Sequence, residues 1–263
     1  MGVETDKARH LLALLKDIPL AGFDRSFKMT DKLLLGHRFL LGVRKEQIGA
    51  DRLWGICAGM GMPGEYAAAF ADALPNANTV HFGFEENEHG CVYKVYLEFW
   101  ARLNEHIRSN ETGGALLHLA FKWDALDDSK RAVTRYICHP HLSVADILSR
   151  MAGTYAGHTD KTSCEIAQDI VKLAAPRMPS GAPMYLEVCE AGNPRLSFDI
   201  NLHQANLKLQ DVRHLLSQMS RHYAIPSAPF EAFHSGIEGS DLGHISAGID
   251  RHGRDFLTTY YEP

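Results

Sequence analysis

The sequence predicts an α+β fold, an antiparallel β-barrel or strongly curled sheet of ααββ repeats surrounded by helices. Three observations carry that expectation. Stretches of alternating polarity come in pairs around short turn-forming segments, helical stretches with 3.6-residue spacing lie between the pairs, and the chain aligns with itself, without a gap, at an offset of 163 residues. Hairpins joined by helix pairs cannot make a parallel doubly wound sheet. Set side by side with helices over one face, they make one antiparallel sheet. A sheet of about nine or ten strands curls, and closing it removes its edges.

The elements follow in chain order. Residues 5–17 read as an amphipathic surface helix. Residues 46–60 and 64–74 carry apolar positions at helical spacing, broken by Gly61-Met62-Pro63. Val80, Phe82 and Phe84 alternate with His81, Gly83 and Glu85, and the alternation resumes over 92–99 after a turn at 87–90, which predicts a hairpin. One helix over 98–109 leads to a second hairpin, 115–124 with 131–139. Ser143 caps a helix over 144–155, with Asp146 three residues on, and 161–176 follows. The third hairpin pairs 183–190 with 195–202. Helices over 209–223 and 227–237, broken at Pro226, precede the fourth, 243–250 with 255–262.

The self-alignment matches 31–99 to 194–262. Pro63 meets Pro226, His81 meets His244, and His89-Gly90 meets His252-Gly253, a shared P-x17-H-x7-H-G spacing. By the same match a strand is expected over about 32–43. We read residues 1–263 as a single domain: the N-terminal helix 5–17, repeat half one 31–99, a middle hairpin and helices 100–180, and repeat half two 183–262.

Strand parity assigns the faces. Phe82, Phe84, Tyr93, Val95, Leu97, Leu119, Phe121, Leu186, Val188, Leu196, Phe198, Ile200, Ile245 and Ile249 are expected against the helices. His81, Glu85, Lys94, Tyr96, Glu98, His118, Lys122, Tyr185, Glu187, Arg195, Asp199, His244, Thr259 and Tyr261 are expected on the other face. In a closed barrel that second set lines a polar interior suited to a small molecule. On an open sheet it would be a solvated face.

Composition narrows the function. A formal net charge of −5 argues against coating nucleic acid, which needs a basic face. Five widely spaced cysteines with no C-x-x-C pair suit reduced thiols in a cytoplasm, and the first residues resemble neither a signal nor a transit peptide. No apolar run reaches the roughly 18–20 residues of a membrane helix. No phosphate loop, nucleophile elbow or local metal-ligand spacing is present, so no metal is expected; His139-Pro140-His141 reads as a loop at a strand end. His89 and His252 precede glycines in turns.

The ααββ order, the segment LSFDINLHQANLKLQDVRHLLSQMSRHYAIP over 196–226, the closing hairpin HISAGIDRHGRDFLTTYYEP and Lys94-Val95-Tyr96 together resemble the ABBA aromatic prenyltransferases. The resemblance implies a barrel that binds an isoprenyl diphosphate and an aromatic acceptor. Carried onto this sequence, Lys94, Lys122 and Arg195 would hold the diphosphate, joined by Arg135 if its strand has the opposite parity. Tyr96, Tyr185 and Tyr261 would shield the allylic cation, and Glu98 or Glu85 would be the acid-base group. Asp199 joins the substrate-binding set. Magnesium is the ion a bound diphosphate would bring; the cofactor is otherwise unspecified. His81 and His244, matched by the repeat, are acid-base candidates in their own right.

The chain departs from that family in its length, in a single helix between the first two hairpins, and in its histidines and interior carboxylates. The expected function is therefore a small-molecule transferase acting in a polar barrel interior, with prenyl transfer as its specific form. The alternative is a non-catalytic ligand-binding or assembly and maturation protein on the same scaffold. A small anionic or aromatic ligand is the expected partner, with no nucleic acid and no membrane.

Overall fold

Residues 5–87, 90–127 and 129–263 are described by the computed structural model; the turn residue His89 lies outside them. The strands are β1 (Gly22–Thr30), β2 (Leu33–Leu35), β3 (Arg38–Arg44), β4 (Thr79–Asn87), β5 (Gly90–Glu98), β6 (Ala115–Asp124), β7 (Arg131–His139), β8 (Met184–Glu190), β9 (Leu196–Asn201), β10 (Asp241–Ile249) and β11 (Asp255–Glu262). The helices are α1 (Asp6–Leu14), α2 (Ala50–Gly59), α3 (Gly64–Ala73), α4 (Trp100–Arg108), α5 (Val144–Thr154), α6 (Thr162–Ala174), α7 (Arg213–His222) and α8 (Ser227–Ser235). Among the described residues no helix is long and apolar enough to cross a membrane.

The strand order is β11-β10-β9-β8-β7-β6-β5-β4-β3-β1-β2, and β11 also pairs with β1. The order therefore returns on itself through β1, with three-residue β2 appended outside the ring. The fold is a closed antiparallel barrel of ααββ units with helices around it. Helix pairs stand before β4, β8 and β10, and α4 stands alone between the first two hairpins, as the sequence predicts.

The chain divides into two compact units. The first comprises 1–23, 37–111 and 116–135. Its core joins Leu11, Leu53, Phe70, Phe82, Val95 and Phe121, so α1, α2 and α3 cover one face of β3 to β6. Phe121 is fully buried, with ring centroids 5.3 Å from Tyr66 and 6.0 Å from Phe70. The second unit comprises 24–36, 112–115 and 136–263. Its core joins Phe27, Met151, Ile170, Phe198, Leu216 and Ile245, which packs α5 to α8 on β1, β9, β10 and β11.

Local chemistry sets the boundaries. Ser143 and Asp146 form the reciprocal capping box of α5. Pro63 and Pro226 stand immediately before α3 and α8, where a missing N–H costs nothing. α2 and α3 begin 163 residues before α7 and α8 respectively, the offset of the self-alignment. The strands before them do not keep that offset. β3 spans 38–44, whereas β9 spans 196–201, the counterpart of 33–38.

β1 was not expected. Phe23, Phe27 and Met29 alternate with Asp24, Ser26 and Lys28, but Arg25 on the apolar parity breaks the pattern. The strand is fixed instead by its partner, with Phe27 opposite Thr259 and Lys28 opposite Thr258 on β11.

The turn joining β10 to β11 is held by Asp250, whose Oδ1 accepts from the N–H groups of His252 at 2.8 Å and Arg254 at 3.0 Å. Burial raises the Asp250 pKa, but those two N–H donors and the Arg254 charge outweigh it and leave the carboxyl below the ordinary aspartate value. A depressed folded-state pKa stabilises above the unfolded value and is lost as pH falls through the folded one. Asp250→Asn should flatten the acid limb of a stability-versus-pH curve measured by urea unfolding, leaving other titrations unchanged. Phe121→Ala should destabilise the protein by about 3–5 kcal/mol in the same measurement, because the rings around it cannot close the cavity.

Candidate functional site

Side chains directly opposite on antiparallel strands share a face, so the register sorts the polar residues without reference to their chemistry. In the first unit Arg38 pairs with Glu85, His81 with Tyr96, Lys94 with Lys122, and Glu98 with both Thr79 and His118. All lie on the face opposite Phe82, Val95 and Phe121, as the alternation predicts.

Two groupings stand on that face. In the first, Glu85 Oε2 is 2.5 Å from both Arg38 and Lys94. Side-chain exposures of 7% for Arg38, 12% for Lys94 and 17% for Glu85 keep these charges largely out of water. Such a cluster holds only when every charge is paired, since desolvating one ion alone costs several kcal/mol. Lys122 lies directly across from Lys94, with its Nζ 6.0 Å from the Tyr96 ring centroid. Like charges directly opposite are destabilising unless an anion meets them. Arg38, Lys94 and Lys122 are thus gathered on one part of the face beside the Tyr96 ring, with Glu85 between the first two.

In the second grouping, His81 Nε2 stands 3.6 Å from Glu98 Oε2, and the His81 and His118 ring centroids are 6.0 Å apart. Burial raises the Glu98 pKa, yet His81, His118 and the Thr79 hydroxyl together hold it at about 2. A carboxyl so acidic is ionised throughout the neutral range. It can meet a cation there but is a poor proton donor, so the acid half of the acid-base role expected of Glu98 does not suit it. Glu85, shared between two cations, is likewise engaged as their counter-ion.

In the second unit His244 Nδ1 and Asp199 Oδ1 are 2.8 Å apart, and the His203 ring stands beside His244 at 4.9 Å between centroids. Burial, then His244, lowers the His203 pKa. Arg195 bonds Ser197 Oγ at 2.9 Å through Nε and Glu190 Oε1 at 2.9 Å through NH1. Arg251 bonds the other Glu190 oxygen at 2.9 Å, so two guanidinium groups enclose a carboxylate whose side chain is fully buried. Lys28 and Arg195 both stand over the Phe256 ring, at 4.6 and 5.5 Å.

Two expected site residues fall on the wrong face. Tyr185 pairs with Ile200 and belongs to the apolar core, its ring 6.2 Å from Phe198, while Leu186 and Val188 share the face of Asp199 and Ser197. Glu187 goes with Tyr185 and reaches Arg150 of α5 at 3.5 Å. β8 buries apolar residues on both sides, so hydrophobicity gives its parity no direction. Tyr261 packs in the same core against Phe27 and Thr259 pairs with Ile245, whereas Thr258 and Tyr260 share the face of Ser246 and His244. Thr259 lies opposite Ile245 in the regular part of the ladder and Tyr261 follows it by alternation, but the Thr258-Thr259-Tyr260-Tyr261 segment has side chains that suit either face, so its parity is not readable from polarity. Neither tyrosine can shield a ligand on the polar face. Arg135 is exposed and adds nothing to it.

Arg38 was not singled out from the sequence because it stands at the first residue of β3, inside an otherwise apolar run; its pairing with Glu85 is visible only in the register. Three of the cysteines carry no chemistry of this kind. Burial pushes the Cys57, Cys91 and Cys138 thiols up to about 12, the state of inert core residues.

The comparisons with known proteins bear on this arrangement. No protein-family model matches the chain, and no curated protein matches it in sequence. Solved structures do. PriB in its ternary complex with L-tryptophan and dimethylallyl thiolodiphosphate superposes with a TM-score of 0.61 at 15% identity, over 91% of this chain and 79% of that one. The chain has the fold of the aromatic prenyltransferases. The 5-dimethylallyltryptophan synthase from Streptomyces coelicolor gives 0.60 at 11% identity, over 91% and 80% of the two chains. NotF with brevianamide F and the same thiolodiphosphate gives 0.57, also at 11%, over 91% and 79%.

Glu190→Ala should be among the most destabilising single changes in the second unit, costing about 3–5 kcal/mol in chemical denaturation, because Arg195 and Arg251 lose the carboxylate that balances both. Glu190→Gln keeps hydrogen-bonding capacity and should cost measurably less.

Proposed function

We propose that this protein is a transferase that takes an isoprenyl diphosphate onto the polar face of the first unit and passes the prenyl group to an aromatic acceptor. The observation that carries the reading is the pairing of Lys94 with Lys122 directly across β5 and β6, with Tyr96 between Lys94 and Glu98 on the same face. Arg38 adds a third cation beside Lys94, bridged to it by Glu85. A diphosphate is an anion of the kind that Lys and Arg side chains gathered on one face can hold, and preorganised cations favour its departure as the allylic C–O bond breaks. The Tyr96 ring presents an electron-rich face to the carbocation left behind. A carbon of the acceptor ring then bonds to the allylic carbon, and the displaced ring proton leaves with the pyrophosphate. The fold shared with PriB, which has been seen with diphosphate and with tryptophan, supports the choice of donor and acceptor classes.

A second reading, ligand binding without catalysis, is favoured by the Glu85 contacts, which already balance part of the charge on Arg38 and Lys94. Calorimetry with pyrophosphate and dimethylallyl diphosphate, followed by product analysis with tryptophan and other aromatic acceptors, separates the two. Prenyl transfer predicts saturable binding of both anions and a prenylated product. Lys122→Ala should weaken both ligands roughly ten- to a hundredfold, the loss of one charged hydrogen bond of about 1.5–3 kcal/mol. Binding without product across the acceptor set would favour the second reading, and failure of both anions to bind would overturn the first.

A further inference from the structure

The geometry points to a divalent transition-metal site of the zinc class on the polar face of the first unit, formed by His81, Glu98 and His118. One ligand atom from each of these residues lies within 4.8 Å of the other two. Around a tetrahedral zinc with bonds of about 2.1 Å, ligands stand roughly 3.4 Å apart, so the 3.6 Å between His81 Nε2 and Glu98 Oε2 is already near the required spacing. That distance is too long for a hydrogen bond. His81 Nε2 is buried and, among the described residues, has no partner within hydrogen-bond distance; it faces the Glu98 carboxylate across a gap of 3.6 Å, interacting with it through charge. Two imidazoles and one carboxylate are a donor set that binds zinc and related ions, and three protein ligands leave a coordination position for water or a substrate oxygen.

The surroundings are shaped to hold these groups. The His81 ring lies over Gly42 on the neighbouring strand, where a Cβ would come within 3.1 Å of Nδ1. Thr79 stands directly across from Glu98 on β4, where its hydroxyl shares the face of the carboxylate, the kind of outer neighbour that can fix a metal-binding carboxylate. Glu98, Tyr96 and Lys94 follow one another along the same face of β5, so a metal here would stand one side chain away from Lys94. The ligands come from three strands, which is why no local spacing in the sequence announces them.

A second grouping, Asp24, His203 and Glu262 in the other unit, suits a transition metal less well. It offers one imidazole to two carboxylates, its Glu262 side chain is 56% exposed, and His203 Nδ1 already pairs with that carboxylate at 3.0 Å.

The metal site does not depend on the proposed transferase activity, and its test uses no prenyl ligand. Full-length protein freed of metal with a chelator is titrated with zinc by calorimetry and with cobalt by visible absorption. A single class of strong site is expected, with a tetrahedral or five-coordinate cobalt spectrum lacking thiolate charge transfer, and zinc should raise the melting temperature through linkage. His118→Ala and Glu98→Gln should each weaken binding by more than about 100-fold, beyond the usual cost of losing an outer contact. His203→Ala should leave binding intact. Melting curves in chelator show whether each variant folds, and a variant that does not is replaced by His81→Gln. The proposal is overturned if the wild-type chain binds neither ion, if its cobalt spectrum shows thiolate ligation, or if binding survives undiminished in folded His118→Ala or Glu98→Gln.

Discussion

The strict alternation of side chains in an antiparallel sheet governs this molecule. Once helices claim one face of the strands, every second residue is committed to the other, and charged residues placed there must find partners among their cross-strand neighbours. The shared contact of Glu85 with Arg38 and Lys94, and the enclosure of Glu190 by Arg195 and Arg251, are two solutions to that requirement. Register brings Arg38 opposite Glu85, whereas Glu190 meets Arg195 across the turn that follows β8 and Arg251 in the turn after β10. The chemistry of the polar face is therefore inseparable from the pairing of the strands.

That dependence explains which parts were legible in advance. Hairpins were readable because turn residues and alternation reinforce one another, and β6, β7 and β11 lie where the pattern puts them. His81, Lys94, Glu98, His118 and Lys122 were placed on the correct face because Phe82, Val95 and Phe121 mark the opposite one without ambiguity. Tyr185 and Tyr261 were misplaced for want of such a marker. β8 is apolar on both sides, and the TTYY segment of β11 has side chains that serve in either environment. Nor could alternation supply pairing partners: Arg38 and Asp24 gain meaning only from the strands beside them.

The offset of 163 residues has a similar mixture of strength and limit. It reproduces the starts of both helix pairs and places His81 and His244 on corresponding strands, β4 and β10. Their surroundings differ. His81 stands with Glu98 and His118, whereas His244 bonds Asp199 and has His203 at its side. Equivalent positions in the two segments carry the same side chain into unlike electrostatic settings.

The depth of the Arg38, Glu85 and Lys94 charges also governs how the surrounding solution can act on them. Surface ion pairs fade as salt is added, because mobile ions gather around them within a Debye length of about 8–10 Å. Side chains as little exposed as Arg38 and Lys94 admit few such ions. Their field is set by the strands that hold them, and remains nearly the same in dilute buffer and in the ionic strength of a cell.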